Sequence, residues 1–337
     1  MKLSVVVRSY NEERHIGRLL LGISQQTLPP HEVIVVDSGS TDSTVAIARD
    51  MGARIVPIDK RDFTFGRALN VGCAAATGDI LVFASAHVYP TYRDWLERLA
   101  RGFDDERVQL VYGRQTGNHL TQFSEMQIFN RWFPSQSVSP QKSYFCNNAN
   151  CAIRTSAWQR QPYDEALSGL EDLAWAKVIQ AKGGWIAYDA LAEIVHVHEE
   201  TWDRVRNRYR REAIAMRHID DKASFSAIDF INLLIGNTMT DMRHARREKK
   251  LRAHWRQILA FRFNQILGTY QGYNGAPEIT DELRRRFYFP HRGPRTDETF
   301  APAQMPERID YDLLEQRPKS AATIELEQKS KRLSVIK

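Results

Sequence analysis

The chain has 337 residues, of which 42% are hydrophobic and 26% charged, with three cysteines and a formal net charge of +6. This composition excludes wholesale disorder, a disulfide framework and a run of about 20 apolar residues able to span a membrane. It predicts one large domain plus a smaller appendage in a reducing compartment, without a signal peptide. The basic excess fits a polyanionic partner: nucleic acid, anionic lipid or a phosphate-bearing small molecule.

The N-terminal third alternates between short β-branched runs and helical patterns, which is typical of parallel α/β units. Strands are predicted at Leu3–Val7, Glu32–Val36, Arg54–Ile58 and Ile80–Ala84, and their near-continuous hydrophobicity predicts burial on both faces. Helices are predicted at Glu12–Ile23, after a cap at Ser40 or Thr41, and at Ala68–Ala76.

Further along, a helix is predicted at Asp172–Ala181 and a strand at Ile194–Val197. We expect a catalytic domain over residues 1–200, with a nucleotide-sugar half at 1–112 and an acceptor half at 113–200. Residues 201–289 are expected to form a helical appendage with basic and apolar segments. The proline-rich, charged segment 290–337 is expected to be extended or disordered.

Polar side chains follow three of the predicted strands at the point where each strand ends. They are Ser9-Tyr10-Asn11, Asp37-Ser38 and Ser85-Ala86-His87. In open α/β sheets, ligands bind beyond the carboxyl ends of the strands, so these side chains are expected to meet at one site.

Four segments together carry a resemblance to a known family: Val5–Glu12, Val35–Asp42, Gly66–Gly72 and Gly169–Asp172. In this order they resemble a family 2 glycosyltransferase with the GT-A fold, over residues 3–200. The resemblance implies a Rossmann-like, mainly parallel nucleotide-binding sheet flanked by helices, here with a C-terminal helical appendage. It also implies an inverting enzyme that moves a sugar from a nucleotide-sugar donor to an acceptor hydroxyl in capsule, lipopolysaccharide or other surface-glycan biosynthesis.

The resemblance assigns Asp37 and Ser38 to the nucleobase or ribose of the donor. Tyr10 can stack on a base, and Asn11 can satisfy the backbone of a turn. The alternative is that the segment from Asp37 onward only caps the next helix. The residues expected at the donor are Arg8, Tyr10, Asn11, Glu12, Asp37, Ser38, Arg67, Asn70, Ser85, His87 and Arg210.

Gly66, Arg67 and Asn70 open a predicted helix, and a helix N-terminus beside an arginine favours phosphate oxygens. In the alternative interpretation, Arg67 is a solvated surface charge and Asn70 a turn residue. Arg210 belongs to an arginine-rich stretch that is expected to close over the diphosphate.

Glu171 and Asp172 precede an apolar helical pattern. The resemblance makes Asp172 the general base that deprotonates the acceptor hydroxyl, with Glu171 orienting the acceptor. The alternative is that both carboxylates are held at the helix N-terminus by its dipole.

Ser85-Ala86-His87 stands where the family usually carries an Asp-x-Asp that holds a divalent metal and the donor diphosphate. The usual oxygen site for Mg²⁺ is therefore absent, whereas His87 can bind Mn²⁺ or donate directly to the diphosphate. His196 and His198 fall on one face of a predicted strand. We expect a metal site for Mn²⁺ or Mg²⁺ from His87 with His196 or His198; the alternative is a structural role for these histidines.

The expected partners are a nucleotide-sugar donor and a saccharide or lipid-linked saccharide acceptor. The basic run Arg243–Arg252 fits contact with an anionic membrane surface; the alternatives are a solvated helix on the catalytic domain or a homodimer interface nearby. We expect a cytoplasmic protein, either free or peripheral at the inner face of the cell membrane. No nucleic-acid partner is expected, because no recognition motif accompanies the basic residues. The competing functions are a transferase that uses a CMP-sugar, a nucleotidylyl enzyme on the same scaffold, and a non-catalytic glycosyltransferase-like binding protein.

Overall fold

A computed structural model describes residues 1–167, 169–274 and 306–312. Within these ranges the strands are β1 (Leu3–Ser9), β2 (Glu32–Asp37), β3 (Arg54–Pro57), β4 (Ile80–Ser85), β5 (Val88–Pro90), β6 (Val108–Thr116), β7 (Asn150–Arg154) and β8 (Trp185–His196). The α-helices are α1 (Ile16–Ser24), α2 (Thr44–Asp50), α3 (Phe65–Ala75), α4 (Trp95–Arg101), α5 (Phe123–Trp132), α6 (Thr155–Arg160), α7 (Glu171–Ala181), α8 (Trp202–Ile219), α9 (Ala227–Arg247) and α10 (Leu251–Tyr273).

These strands form one sheet in the order β3-β2-β1-β4-β7-β6-β8-β5. The first four strands pair in parallel, and β6 pairs in parallel with β8. In contrast, β7 is antiparallel to β4 and β6, and β5 is antiparallel to β8. The carboxyl ends of β1, β2 and β4 therefore lie at one edge of the sheet. The predicted α/β class, with a parallel sheet flanked by helices, is confirmed.

Side chains along the central strands alternate between two apolar clusters, one on each face of the sheet. Val5 belongs to the cluster that includes Trp95 of α4, whereas Val6 belongs to the cluster that includes Trp175 of α7. Because helices cover both faces, almost every residue of β1 and β4 is buried, as the continuous hydrophobicity predicts.

Two helices begin later than predicted, because polar side chains and turns occupy the preceding residues. The helix predicted at Glu12–Ile23 begins at Ile16, after a turn. The predicted cap at Ser40 or Thr41 is wrong, since the helix begins at Thr44. The hydroxyl of Ser40 instead donates to the carboxylate at the end of β2.

The last three described helices pack on one another around a separate apolar cluster that includes Ala213, Phe225 and Ile266. At Gly268 of α10, an added Cβ would lie 2.2 Å from the carbonyl oxygen of Arg206, so only glycine lets α10 approach α8 this closely. The predicted appendage is helical as far as it is described, and residues 275–289 lie outside the described residues.

The predicted tail at 290–337 lies outside the described residues except for 306–312. In that segment the backbone N–H of Ile309 donates to the carbonyl of Thr91 (3.1 Å), and the Tyr311 hydroxyl donates to the carbonyl of Pro90. The described part of the tail is thus held beside β5. Among the described helices, none combines the length and the apolar composition that crossing a bilayer requires.

Candidate active site

A cleft of about 680 Å³ opens where β1, β4 and β8 end, with α8 along one side. The predicted site residues that line it are Arg8, Tyr10, Asn11, Glu12, Ser85, His87, Glu171, Asp172, His196 and His198. The sheet thus brings ten of the fifteen predicted residues together. The other five (Asp37, Ser38, Arg67, Asn70 and Arg210) are outside the lining formed by the described residues.

Two adjacent carboxylates at the start of α7 have different partners. Leu170 has a left-handed backbone (φ 55°), and the helix begins directly after it. Glu171 is paired with the Arg8 guanidinium at 2.8 Å. Asp172 accepts hydrogen bonds from the backbone N–H of Asn148 and of Leu173, both at 2.9 Å. The negative charge of Glu171 is therefore compensated by a cation, whereas that of Asp172 is held by neutral donors.

The surroundings of Asp172 favour its protonated form. Asp172 is only 7% exposed. Its burial, and then the neighbouring charge of Glu171, raise the pKa of Asp172 to about 7, despite two backbone hydrogen bonds and the charge of Arg8. A carboxylate with a pKa near neutrality can take up a proton during a reaction and release it afterwards.

Three histidines lie close to one another in the same cleft. His87, His196 and His198 each offer a ligand atom, and these three atoms lie within 4.8 Å of one another. The His87 and His196 rings stack, with centroids 5.0 Å apart. The Nδ1 atom of each ring lies against a side-chain oxygen: Glu12 Oε1 at 2.9 Å for His87, Gln115 Oε1 at 2.8 Å for His196, and Glu125 Oε1 at 2.6 Å for His198.

These contacts determine which ring nitrogens carry hydrogen. Gln115 donates its amide to Asn147 Oδ1 (2.9 Å), so its oxygen faces His196 and accepts from Nδ1–H. The carboxylate beside His198 also accepts from Nδ1–H. In the neutral rings, the Nε2 lone pairs of His196 and His198 then face each other at 3.0 Å. This arrangement requires a proton or a metal ion between them.

The surroundings keep the central imidazole neutral, which is the form that binds metals. Burial, and then the charges of His198, His87 and Arg208, lower the pKa of His196 well below its usual value. Burial alone would raise the pKa of Glu125, but His198 and Arg208 hold it at about 2. Each of the three imidazole rings has a side-chain oxygen at its Nδ1 atom that fixes its orientation. Such partners are usual around protein metal sites.

This donor set fits a first-row transition ion such as Mn²⁺, Fe²⁺, Co²⁺ or Zn²⁺, because imidazole nitrogen is a good ligand for such ions. Mg²⁺ fits poorly, since it prefers an octahedron of oxygen ligands. The residues present therefore favour the Mn²⁺ alternative of the sequence prediction over Mg²⁺.

Comparison with known proteins identifies the family. The family model for glycosyl transferase family 2 matches residues 4–167. The O-antigen chain rhamnosyltransferase RfbN of Salmonella typhimurium is 30% identical over 222 residues, which cover 62% of this chain and 70% of that protein. The chain belongs to glycosyl transferase family 2. The O-antigen chain rhamnosyltransferase WbaN of Salmonella anatum is also 30% identical, over 55% of this chain and 62% of that protein.

Solved structures of other glycosyltransferases share the fold. The mannosyltransferase PcManGT from Pyrobaculum calidifontis, in complex with GDP-Man and Mn²⁺, has a TM-score of 0.55 at 18% identity and covers 80% of this chain and 86% of its own. TarS 1–349 from S. aureus, in complex with UDP-GlcNAc, has a TM-score of 0.51 at 18% identity, covering 83% and 95%. The predictions of a family 2 glycosyltransferase, of the GT-A fold and of an enzyme of glycan biosynthesis are confirmed.

In this glycosyltransferase, the strand-end residues Asp37, Ser38 and Asn11 organise a turn. Asp37 accepts from the backbone N–H of Gly39 and Ser40, each at 3.0 Å. The Ser38 hydroxyl donates to the carbonyl at the end of β1, and Asn11 accepts a backbone hydrogen bond across the turn. Asn11 thus satisfies the backbone of a turn, as predicted, whereas the contacts of Asp37 and Ser38 lie within the turn and do not cap α2, which begins at Thr44. A contact of Asp37 or Ser38 with the donor stays a prediction.

The start of α3 is covered by another part of the glycosyltransferase chain. Asn70 donates to the Tyr163 carbonyl (3.0 Å) and to Glu165 (2.9 Å), and its side-chain oxygen accepts from Trp158 and from the Tyr163 N–H. Arg67 extends toward Glu165 at 3.5 Å. The side chains of Asn70 and Arg67, which were predicted to bind phosphate, are therefore engaged within the protein. The backbone of Asp164 and Glu165 also lies directly over Gly66.

Other arginines of α8 reach the cleft instead of Arg210, which is exposed and outside its lining. Arg204, Arg208 and Arg211 line the cleft, and their spacing of four and three residues places them on one helix face. That spacing is the signal that distinguishes them from Arg210 in the sequence. Sequence reasoning also missed Glu125 and Gln115, for which no local signal exists.

Two more groups shape the mouth of the cleft. The Phe65 ring lies between two guanidinium groups, those of Arg8 at 4.9 Å and of Arg211 at 4.6 Å from its centroid. Tyr10 is 40% exposed and accepts a hydrogen bond from Lys60 Nζ (2.7 Å). Two aromatic rings, each beside at least one cation, thus lie at the mouth of the cleft.

A second cavity, of about 410 Å³, adjoins the cleft between α5 and the helices α8, α9 and α10. The residues shared by the two cavities are Asn147, Leu170, His196, His198, Arg208 and Glu212. Aromatic rings, among them Trp132, Phe133 and Tyr273, line its inner part beside amides such as Asn237 and Gln265.

Proposed function

We propose that this enzyme transfers a sugar, with inversion, from a nucleoside diphosphate donor to an acceptor hydroxyl, and that Asp172 is the general base. The observation that carries the proposal is a buried carboxylate with a pKa of about 7, in the same cleft as a cluster of imidazoles and guanidinium groups. Such a pairing of a neutral-range base with a cationic pocket suits displacement of a diphosphate.

The proposed reaction is a single displacement at the anomeric carbon of the donor sugar. The acceptor oxygen forms a bond to the anomeric carbon, the bond from that carbon to the phosphate oxygen breaks, and the nucleoside diphosphate leaves with the bonding electrons. Asp172 takes the hydroxyl proton. Because attack and departure occur on opposite faces, the anomeric configuration inverts.

The chain supplies positive charge for the leaving group from α8. Arg204 and Arg211 line the cleft, and Arg208 does so while bonded to Glu125 (2.6 Å) and Glu200 (2.7 Å). Guanidinium groups match phosphate oxygens in geometry and charge. We assign the diphosphate to this side of the cleft, with Tyr10 beside the nucleobase.

A divalent transition ion would be held by His87, His196 and His198. When bound, it would add positive charge against the donor diphosphate. The mannosyltransferase of known structure was solved with GDP-Man and Mn²⁺, which supports metal use in this fold.

For the donor sugar we propose a rhamnosyl group, since two relatives that are each 30% identical over more than half of this chain are named O-antigen chain rhamnosyltransferases. A CMP-sugar donor is the second candidate, because Ser85 and His87 replace the carboxylates that usually accompany a diphosphate-bound metal. The three converging histidines favour the diphosphate.

The acceptor is proposed to enter through the second cavity, whose aromatic and amide side chains suit a saccharide. An acceptor built on a lipid carrier would bring the enzyme to a membrane. Peripheral contact with an anionic membrane surface is a separate proposal, which the transfer reaction itself does not require.

The decisive experiment follows transfer from dTDP-, UDP- and GDP-linked rhamnose and from a CMP-sugar to a lipid-linked saccharide, with product anomers assigned by NMR. We expect one diphosphate donor to react with inversion, and more rapidly with Mn²⁺ than with Mg²⁺. Reaction of the CMP-sugar alone would replace the diphosphate assignment, and retention of configuration would remove Asp172 as base.

A further inference from the structure

The outer face of the helix pair α9–α10 exposes large apolar side chains to solvent. On α9, Ile228, Ile231, Ile235 and Met239 are 71%, 55%, 54% and 48% exposed; on α10, Trp255, Leu259 and Phe263 are 42%, 41% and 47% exposed. At about 100° per residue, each set spans an arc of about 80° on its helix. We call these seven residues the apolar face. Such a concentration on a water-soluble surface marks an interaction site.

The apolar face belongs to two helices that pack as one unit. On their inner side, Arg262 and Asp241 form a buried ion pair (Nε to Oδ2, 2.7 Å). At the other end, the Phe230 ring contacts those of Phe263 and Tyr270, with centroids 6.5 Å and 5.7 Å away. The two stripes are therefore held side by side on an antiparallel hairpin.

The turn of this hairpin carries the basic charge of the protein. Residues 243–256 contain seven cations (Arg243, Arg246, Arg247, Lys249, Lys250, Arg252 and Arg256) and one acid, Glu248, which gives the segment a charge of +6. The whole chain also has a formal net charge of +6, so the remaining residues balance to zero. All seven cations are exposed. We call them the basic turn.

We propose that the apolar face and the basic turn together form the surface by which this enzyme binds an anionic lipid bilayer. The seven apolar side chains would enter the boundary between headgroups and acyl chains, with the basic turn against lipid phosphates. Trp255 lies between Arg252 and Arg256 in the sequence, where the apolar face meets the basic turn. Indole rings are preferred at the corresponding boundary between lipid headgroups and acyl chains.

A second copy of this chain is the other occupant to consider. Hydrophobic matching alone would suit a dimer, but each copy would bring an identical basic turn from a segment with a charge of +6, in which Glu248 is the one acid. An anionic bilayer matches both the apolar and the charged part of the surface. The charge complementarity therefore favours lipid.

One helix links this surface to the cleft. At the turn, Phe123 of α5 packs with Ala245 and Ile258, and its backbone N–H donates to Gln257 Oε1 (3.2 Å). Two residues along, Glu125 holds His198 at 2.6 Å. The hairpin thus adjoins the elements around the active site. This link to catalysis rests on the proposed function, whereas the lipid contact itself does not.

The test is co-sedimentation of the full chain with phosphatidylcholine vesicles, prepared with and without phosphatidylglycerol. We expect binding only to the anionic vesicles. The variant K249Q/K250Q/R252Q should bind them about a hundredfold more weakly. High salt screens the charges of the basic turn, so the binding that persists at high salt depends on the apolar face. The variant I231S/I235S/F263S should lose that part of the binding. The control L120S/V138S removes apolar side chains of similar exposure (42% and 45%) elsewhere, and should bind as the parent does.

Failure of the parent to bind anionic vesicles, or equal binding by all variants, would overturn the proposal. Self-association in sedimentation velocity that I231S/I235S/F263S abolishes, without vesicle binding, would assign the face to a second copy. Transfer to a water-soluble acceptor is measured on the same variants. Normal transfer without vesicle binding rejects only the membrane surface, and vesicle binding without transfer rejects only the proposed function.

Discussion

His196 and His198 point their Nε2 atoms at each other across 3.0 Å, while both Nδ1 atoms are engaged by side-chain oxygens. Two neutral rings in this state repel unless a cation or a proton lies between them. His87 completes the group from a different strand end. In the proposed metal site, nitrogen ligands would stand in place of the oxygen ligands of the usual family motif, and this replacement leads to the first prediction.

Removing the third imidazole should weaken metal binding. We expect H87A to reduce the affinity for Mn²⁺ or Zn²⁺ by about a hundredfold, and to weaken nucleoside diphosphate binding in the presence of metal. Isothermal titration measures both affinities. The control is H31A, because His31 is exposed and outside the cleft. Equal metal affinity in H87A and H31A would contradict the metal site.

Replacing the proposed base should affect turnover and spare donor binding. We expect D172N to lower kcat by about 10²–10⁴-fold, because the amide cannot take a proton. The Kd of the nucleoside diphosphate should change less than about threefold, since Arg8 and Glu171 keep their ion pair. D221N, at an exposed carboxylate after α8, is the matched control. Turnover by D172N at the rate of D221N would exclude Asp172 as base.

The same substitution should change how stability depends on pH. The pKa of Asp172 is 3.8 in the reference state and about 7 in the folded chain, so the folded chain binds the extra proton between these values. The free energy of unfolding contributed by this group is therefore present at low pH and is lost as pH rises through about 7. Relative to the parent, D172N should gain up to about 4 kcal/mol between pH 4 and pH 8. Chemical denaturation of both proteins across this range measures the difference, and a constant difference would contradict the raised pKa.

Neighbouring arginines of α8 should differ in their effect on donor binding. Arg211 lines the cleft against Phe65, whereas Arg210 is exposed away from it. We expect R211Q to raise the Kd of the nucleoside diphosphate about tenfold, and R210Q to leave it within about twofold. Fluorescence titration with a labelled nucleotide measures both. If R210Q had the larger effect, the original sequence assignment would replace the one drawn from the cleft.

Replacing Asn70 should lower the stability of the protein and leave its affinity for the donor unchanged. Its side chain makes four hydrogen bonds that fasten α3 to the segment around Tyr163. We expect N70A to lower the free energy of unfolding by about 2–4 kcal/mol, and R67Q by less than about 1 kcal/mol because that ion pair is exposed. Urea denaturation measures the loss. A weakened nucleotide affinity in N70A at full stability would restore the predicted phosphate contact.

Much of the fold and part of the site could be read from the sequence because the responsible patterns are local. Buried β-branched runs separated by helical periodicity predict the parallel strands, and polar residues at strand ends predict where a ligand binds. The same logic located His87, and strand alternation paired His196 with His198, whereas Asp172 was assigned from the family resemblance of Gly169–Asp172. Helix starts were less predictable, because several side chains compete to satisfy the same backbone donors, as Ser40 and Thr44 show.

Short motifs were enough to predict the family by resemblance, and hydrophobic patterns predicted the parallel sheet and the edge at which a ligand is expected, since these depend on neighbours a few positions apart. The same patterns did not predict the hydrogen-bond partners of the polar side chains. Asp37 forms hydrogen bonds within its own turn, Asn70 bonds to a segment 93 residues away, and Glu125 bonds to His198 across 73 residues. A polar side chain binds whichever partner the packed chain brings within about 3 Å, and that distance exists only once the helices and the sheet have assembled.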